Sequence, residues 1–266
     1  MGDTFLSMTL KALSALAMSL ASILVVLALW WGYLIIFDIN NFVGKTPLDV
    51  WHYAFASPAA AANRASLAAD MWISLGHAGL GFVAGMAIGT LLSASFIIWP
   101  VAERTMMPLA LVLRSVPLVA MTPLITLIFG RGLGSVAVIG GLVVIFPVLI
   151  NVVLGLRSGS PLWFDLVRSA GGGTFTYLHR IALPAALPSI LTAARISVPG
   201  AFIGALLTEW LATGDGLGYR MQIDVTQFNA DDLWTSVALV TGLSVAIYAV
   251  FGATEKLLLA RMGLKR

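Results

Sequence analysis

The side chains of this 266-residue sequence that could do chemistry are few and widely spaced. There is no cysteine, hence no thiolate nucleophile, disulfide framework or Cys-ligated zinc or iron–sulfur site. His52, His77 and His179 lie in three different parts of the chain and make no His-Glu-x-x-His pair, so a metal site has no support. Gly44-Lys45-Thr46 has the ending of a phosphate-binding loop, but the first glycine of that pattern falls on Ile39 and Pro47 stands where the helix should continue. Gly242-Leu243-Ser244-Val245-Ala246 misses a nucleophile elbow by its last glycine and lies inside an apolar run rather than at a strand-to-helix turn. The chain is expected to hold no metal and no cofactor of its own and to have no catalytic residue.

Three ionisable residues stand out by position. Arg114 precedes the charge-free run Ser115 to Gly130, Arg195 precedes Ile196 to Thr208, and Glu209 closes that second run. A charge within an apolar span costs roughly 2.5–3.5 kcal/mol at the centre on insertion scales, so such residues usually face a bundle interior or a watery cavity. A long side chain near a helix end can instead snorkel to the headgroups. Both readings are open for the two arginines.

The segment 157–188 has its own local grammar. Ser160-Pro161 is a helix start, an N-cap acceptor followed by proline at the first helical position, and the short helix runs to about Ala170. Gly171, Gly172 and Gly173 break it. Thr174 is then expected to cap a second short helix, Phe175 to Leu183, with Phe175, Leu178, Ile181 and Ala182 on one face and Pro184 as its end. A helix–glycine–helix pair with a small apolar stripe and no core of its own needs a partner protein or a lipid surface to lie on.

What must position these residues is set by composition. The chain is 59% hydrophobic and 10% charged with mean hydropathy +0.97, against about 45–50% and about 25% for a soluble domain, which excludes a soluble globule. A basic balance of 15 Lys+Arg to 12 Asp+Glu is spread between apolar stretches rather than clustered, so nucleic acid is not an expected partner. The fold is predicted as an all-α polytopic membrane bundle with six spans: Ala12 to Phe37, Met71 to Ala102, Pro108 to Gly130, Gly132 to Leu156, Leu187 to Leu211 and Leu233 to Thr254. The first run is too long for a signal-peptide core of about 7–15 residues. Gly81, Gly85 and Gly89, with Ser93 following, give the second span a face of small residues that lets another backbone approach closely.

Sorting the charges with both termini inside puts eleven basic residues on the cytoplasmic side and four (Lys45, Arg64, Arg131, Arg220) outside, a positive-inside signal for N-in, C-in topology. Segment 157–188 is then cytoplasmic. Segments 38–70 and 212–232 are outside, the former read as short interfacial helices anchored by Trp51 and Trp72. No repeat or linker divides residues 1–266, which are read as one domain.

Segment 157–188 also carries a resemblance. Asp165-Leu166-Val167-Arg168-Ser169-Ala170-Gly171, nine residues, then Ile181-Ala182-Leu183-Pro184, is similar to the cytoplasmic "EAA" loop of binding-protein-dependent ABC transporter permeases: Glu-Ala-Ala, three residues, Gly, nine residues, Ile-x-Leu-Pro. Asp165 stands for the family's Glu, and Leu166 and Val167 for its alanines. Arg114-Ser115-Val116-Pro117 with Pro123, Phe146-Pro147, Leu183 to Pro188, Glu209 and Gly216-Leu217-Gly218 extend the likeness, within the nitrate/sulfonate/taurine branch, over about residues 74–260.

The resemblance implies a type I importer permease of a prokaryotic inner membrane. Such a subunit pairs with a second permease, as a homodimer here, and sits on two cytoplasmic ATPase subunits that hold ATP and Mg. An external solute-binding protein delivers a small anionic or polar solute. Asp165, Arg168, Gly171, Phe175, Ile181, Leu183 and Pro184 would make the ATPase-coupling loop, and Arg114, Pro117, Pro123, Arg195 and Glu209 are candidates for the translocation path or its gate. Two other classes compete. A self-sufficient secondary transporter or channel would use mid-membrane carboxylates for ion coupling, and the predicted spans hold none except Glu209 at an end. A structural membrane subunit would not co-purify with an ATPase.

Overall fold

The computed structural model describes residues 2–263, with side chains from residue 17 onward except 19, 20 and 161. Lys265 and Arg266, and the Lys11 side chain, which contributed to the expected charge bias, lie outside that description. Among the described residues all regular structure is helical. The helices are α1 (Gly2–Ile36), α2 (Pro47–Trp51), α3 (Ala60–Ile98), α4 (Pro100–Ser115), α5 (Leu118–Phe129), α6 (Leu133–Leu156), α7 (Pro161–Ser169), α8 (Thr174–Tyr177), α9 (Leu183–Thr208), α10 (Gly216–Gln227) and α11 (Ala230–Arg261). Three π-helical turns, His52–Ala56, Leu178–Ala182 and Glu209–Thr213, join them in places.

Four continuous helices are long and apolar enough to cross a membrane: Ala60–Ile98, Leu133–Leu156, Thr174–Thr213 and Ala230–Arg261. A fifth crossing is made if α4 and α5 count together, and the described apolar part of α1, Ala21–Ile36, is shorter. The chain is therefore a polytopic helix bundle with four to five candidate spans among the described residues.

Three sequence expectations change in detail. The third span is not straight: α4 and α5 meet at 106° across Val116-Pro117. Pro117 has no N–H and forces Val116 out of the helical region to φ −77°, ψ 127°, so the ladder ends there. Pro184 does not end the loop's second helix. The turn Leu178–Ala182 widens to the π pattern and feeds α9, so Thr174–Thr213 is one helix of 40 residues, about 60 Å long. The Ala-rich stretch before Asn63 is not an interfacial helix but the first turn of α3, whose 39 residues reach about 58 Å, well beyond a hydrocarbon core of about 30 Å.

The chain divides into two compact units. In the unit made of residues 1–65 and 224–235, Trp30 stacks on Trp234 with ring centroids 5.3 Å apart, and the Trp234 indole donates to the Val43 carbonyl at 2.8 Å. Lys45 pairs with Asp231 at 3.2 Å. Thr46 and Asp49 form a capping box for α2, and the Thr46 hydroxyl beside Asp49 holds that carboxyl below its usual range.

The unit made of residues 66–223 and 236–266 has its core along α6, where Val136, Ile139, Val144, Val148 and Val152 have no exposed surface. α9 packs along α6 over most of its length. The small-residue face of α3 meets α6 directly. A Cβ on Gly81 would lie 2.7 Å from the Gly140 Cα, one on Gly85 2.5 Å from the Val144 Cβ, and one on Gly89 2.8 Å from a Val148 methyl. Gly204 of α9 closes on the same Gly140 at 2.7 Å. Backbones this close gain dispersion contacts that lipid tails cannot supply.

Candidate functional site

The loop between α6 and α9 leaves much of its apolar surface uncovered. Ser160 stands at the N-cap of α7, where its carbonyl, not its hydroxyl, takes the Trp163 N–H at 3.0 Å. Leu162, Asp165, Leu166 and Ser169, spaced i, i+3, i+4, i+7, share one exposed face of α7, and Leu162 and Leu166 are 74% and 67% exposed. With Trp163 they line a shallow groove of about 570 Å³. Arg168 lies over the Phe164 ring, which meets Tyr177 edge-on at 5.2 Å, so the back of α7 is fixed to α8 while its front is open. Gly171 sits at φ +81°, in open space, and makes the turn. Gly173, not Thr174, is the N-cap of α8.

The expected apolar stripe of the second helix is divided by the π turn. Leu178 and Ala182 are buried, Ile181 and Leu183 half-buried, while Phe175 is 71% exposed and turned the other way. Pro184 is exposed at the start of α9, with His179 and Arg180 exposed just before it.

At the far end of α9 a second cluster is fully enclosed. Glu209, with no exposed surface, accepts the Ser74 hydroxyl at 2.8 Å and the Gly218 N–H at 2.8 Å on one oxygen, and the His77 Nδ1–H at 3.0 Å on the other. The same Ser74 oxygen accepts the Leu217 N–H at 2.8 Å. The glycines of Gly216-Leu217-Gly218 have a physical cause here. Gly216 is at φ +75° with Glu209 Cδ 2.5 Å from where a Cβ would stand, and a Cβ on Gly218 would collide with the Leu206 carbonyl.

The two arginines part company. Arg195 is held between Glu255 and the Tyr248 hydroxyl, donating to the latter at 2.9 Å. Arg114 is exposed in the last turn of α4, makes no ion pair among the described residues, and borders a cavity of about 540 Å³ with Pro117, Met121, Phe146, Pro147 and Gly200. Pro123 lies inside α5, exposed and away from that cavity's lining. The candidates for a path thus fall into an open pair, Arg114 with Pro117, and two enclosed groups around Arg195 and Glu209.

Residues 81–263 match the family model described as binding-protein-dependent transport system inner membrane component. The chain belongs to this family. The permease is 31% identical over 180 residues to the formylaminopyrimidine transport permease protein of Halalkalibacterium halodurans, covering 68% of this chain and 72% of that one. It is also 31% identical over 207 residues to a probable ABC transporter permease protein of Haemophilus influenzae, covering 74% and 82%. A putative aliphatic sulfonates transport permease protein of Bacillus subtilis is 34% identical over 160 residues, covering 59% and 56%. Taurine and nitrate permeases are further relatives of the same branch.

The permease is accordingly an inner-membrane component of a bacterial ABC transport system for small solutes, a transmembrane subunit without an ATPase domain. A system of this kind brings an ATPase and a solute-binding protein as partners. The partners of Glu209 and Arg195 come from distant parts of the chain. Ser74 and His77 lie 135 and 132 positions from Glu209, and no local pattern joins them. Glu255 fell one residue beyond the expected sixth span, whereas α11 continues to Arg261 and holds it 2% exposed, so a further buried carboxylate lies well inside a membrane-length helix.

Proposed function

We propose that the permease is a type I importer subunit that crosses the membrane six times, N-in and C-in, through α1, α3, the bent pair α4–α5, α6, α9 and α11. Two copies form a homodimer on two ATPase subunits, with residues 1–266 acting as one permease domain around the 74–260 core. The loop 157–188 faces the cytoplasm and seats on the ATPase, which holds ATP and Mg. The observation that carries this reading is the open face of α7: Leu162 and Leu166, largely exposed, flank Asp165, and the segment that follows it is continuous with a helix long enough to cross the membrane. An apolar face with a central carboxylate and no cover within the chain fits a protein groove.

In this reading Asp165, Arg168, Gly171, Phe175, Ile181, Leu183 and Pro184 belong to the coupling region. Arg114 and Pro117 stand at the path or gate, and Arg195 and Glu209 hold helices together beside it. Pro123 shapes α5, and the Gly81, Gly85, Gly89 edge sets the spacing of α3 and α6. The solute is small and anionic or polar, as suggested by the sulfonate, taurine and nitrate relatives.

The test uses the absence of native cysteine. Single cysteines at the exposed positions Ser158 and Asp215 are expected to label from opposite sides of intact cells, with an impermeant reagent reaching only Asp215→Cys. Co-purification of the ATPase is expected to fall at least fivefold in Leu166→Glu. Labelling of Ser158→Cys from outside, or undiminished co-purification, would overturn the reading. A loop that only rests on lipid would lose membrane contact in Leu166→Glu and leave the ATPase in place.

A further inference from the structure

The Thr174–Thr213 helix begins beside the exposed Phe175 and carries Glu209 at the start of its last turn, so one helix spans the distance between the loop and the enclosed polar cluster. Against α6, α9 makes contact through small and apolar surfaces, such as Gly204 on Gly140, which have no directional partner to lose when they slide. Midway along, Thr192 and Arg195 tie α9 to Glu255 of α11, so these two helices move together. At Glu209 the contact is of another kind. Its carboxylate takes hydrogen bonds from Ser74 and His77 of α3 and from Gly218 of α10, all without solvent. Breaking any of them leaves a buried charged or polar group unpaired, the most expensive way to separate two elements.

Two further links act on the same end. Arg220 of α10 donates to Ser66 at 2.6 Å and to Asp70 at 2.7 Å on α3, and Arg131 donates to the Ala212 carbonyl of the π turn at 2.9 Å.

We propose that Ser74, His77 and Glu209 are positioning residues that lock the end of α9 and the start of α10 onto α3, about four turns in from the start of α3, so that movement imposed on α9 at the loop is delivered undiminished to the opposite end of the permease. The inference rests on the loop being the ATPase contact. α9, with α11 fastened to it through Arg195 and Glu255, is the moving rod, shifting against α6 while its end cannot leave α3. The cluster touches no solute. It acts by keeping the first turn of α10, pinned at Leu217 and Gly218, in register with α9.

The experiment uses the intact complex with its ATPase in lipid nanodiscs. One spin label per permease copy is placed at Tyr219→Cys, on the exposed side of α10, or at His179→Cys, exposed just before α9. Distances between copies are read by pulsed electron resonance, nucleotide-free and trapped with ATP and vanadate. In the parent both distances are expected to shift on trapping. In Ser74→Ala the shift at 179 is expected to remain while that at 219 falls by at least half, and Ser74→Thr, which keeps the hydroxyl, is expected to restore it. Arg220→Gln, at a more exposed position, is expected to reduce the 219 shift in the same direction and decides the matter where Ser74→Ala does not assemble. A 219 shift equal to the parent's in these variants overturns the proposal, as does a collapse of both shifts together. An absent 179 shift in the parent counts instead against the loop as the ATPase contact, which separates the two readings.

Discussion

Arg195 on α9 and Glu255 on α11 form an ion pair at 3.3 Å, and the other oxygen of Glu255 accepts the Thr192 hydroxyl at 2.7 Å. The guanidinium also lies over the Tyr248 ring, 4.6 Å from its centroid, and Gly252 leaves room for it, since a Cβ there would stand 3.3 Å from Nε. A cation held by one carboxylate and by the hydroxyl and ring of one tyrosine fastens two helices. Arg114, by contrast, faces open space beside a helix break.

Arg195→Gln is therefore expected to lower stability by about 3 kcal/mol, because Glu255 is left buried without its cation. The pair Arg195→Met with Glu255→Met should recover most of the loss, since neither charge then remains to be desolvated. Thermal unfolding in detergent, read as a double-mutant cycle, checks this. Solute preference is expected to stay unchanged in Arg195→Gln. A change in preference with full stability would show instead that the guanidinium meets solute.

Gly171 needs its left-handed backbone and nothing else, for a Cβ there meets no atom within 4 Å. Gly171→Val is expected to strain the turn by roughly 1–3 kcal/mol and to lower ATPase co-purification while the chain still inserts. Gly171→Asn should lie much nearer the parent, because Asn tolerates that region better than a β-branched residue. Equal co-purification of all three would remove the turn from the coupling surface. Gly172 differs: its Cβ would stand 2.6 Å from a Val167 methyl, so there the obstacle is a side chain.

How much of this was legible follows from the range of each interaction. The helical bundle and the loop's glycine turn could be read because they depend on runs of apolar residues and on local backbone demands, as at Ser160-Pro161 and Gly171. The bend at Val116-Pro117 was missed although Pro117 was noted, since a proline within an apolar run signals either a kink or a break, and only the packing of α5 on α6 decides. The continuation through Pro184 was missed for a related reason: a π turn absorbs the lost hydrogen bond, and its signature is not a residue type. The Glu209 cluster needed three segments brought together from positions 74, 77 and 218. Sequence could mark the ionisable residue at the end of a span but not say that its partners would enclose it.

The capping box of α2 offers a pH test. The Thr46 hydroxyl holds the Asp49 carboxyl below its usual range, the folded value lying under the unfolded one. Its contribution to the capping of α2 is therefore present above the ordinary carboxylate value of about 4 and is lost as the pH falls through the lowered one. Amide exchange in Pro47–Trp51, corrected for the intrinsic effect of pH, should accelerate relative to neighbouring segments only in that acid range. Thr46→Ala is expected to raise exchange at neutral pH, a loss of about 1 kcal/mol for the cap, and to weaken the acid dependence. An acid transition of unaltered position in Thr46→Ala would show that the hydroxyl does not set it.

The last prediction contrasts two glycines of α3 that sequence alone treats as equivalent. At Gly85 an added methyl meets the Val144 side chain, with Cβ 2.5 Å away, whereas at Gly81 it meets the Gly140 backbone at 2.7 Å. Gly85→Ala should cost about 1–3 kcal/mol through overpacking. Val144→Ala in the same chain should recover only the part due to the Val144 methyl at 2.7 Å, since the Val144 Cβ and the Gly141 carbonyl at 2.8 Å remain. Gly81→Ala has no such remedy, since Gly140 carries no side chain to delete and is pressed from the other side by Gly204. Its effect is expected to be larger, and to persist when Val144 is shortened. Melting temperatures of the four variants in one detergent decide it. Equal costs for Gly81→Ala and Gly85→Ala, or rescue of Gly81→Ala by Val144→Ala, would mean that α3 and α6 can separate freely, contrary to the close approach of their backbones.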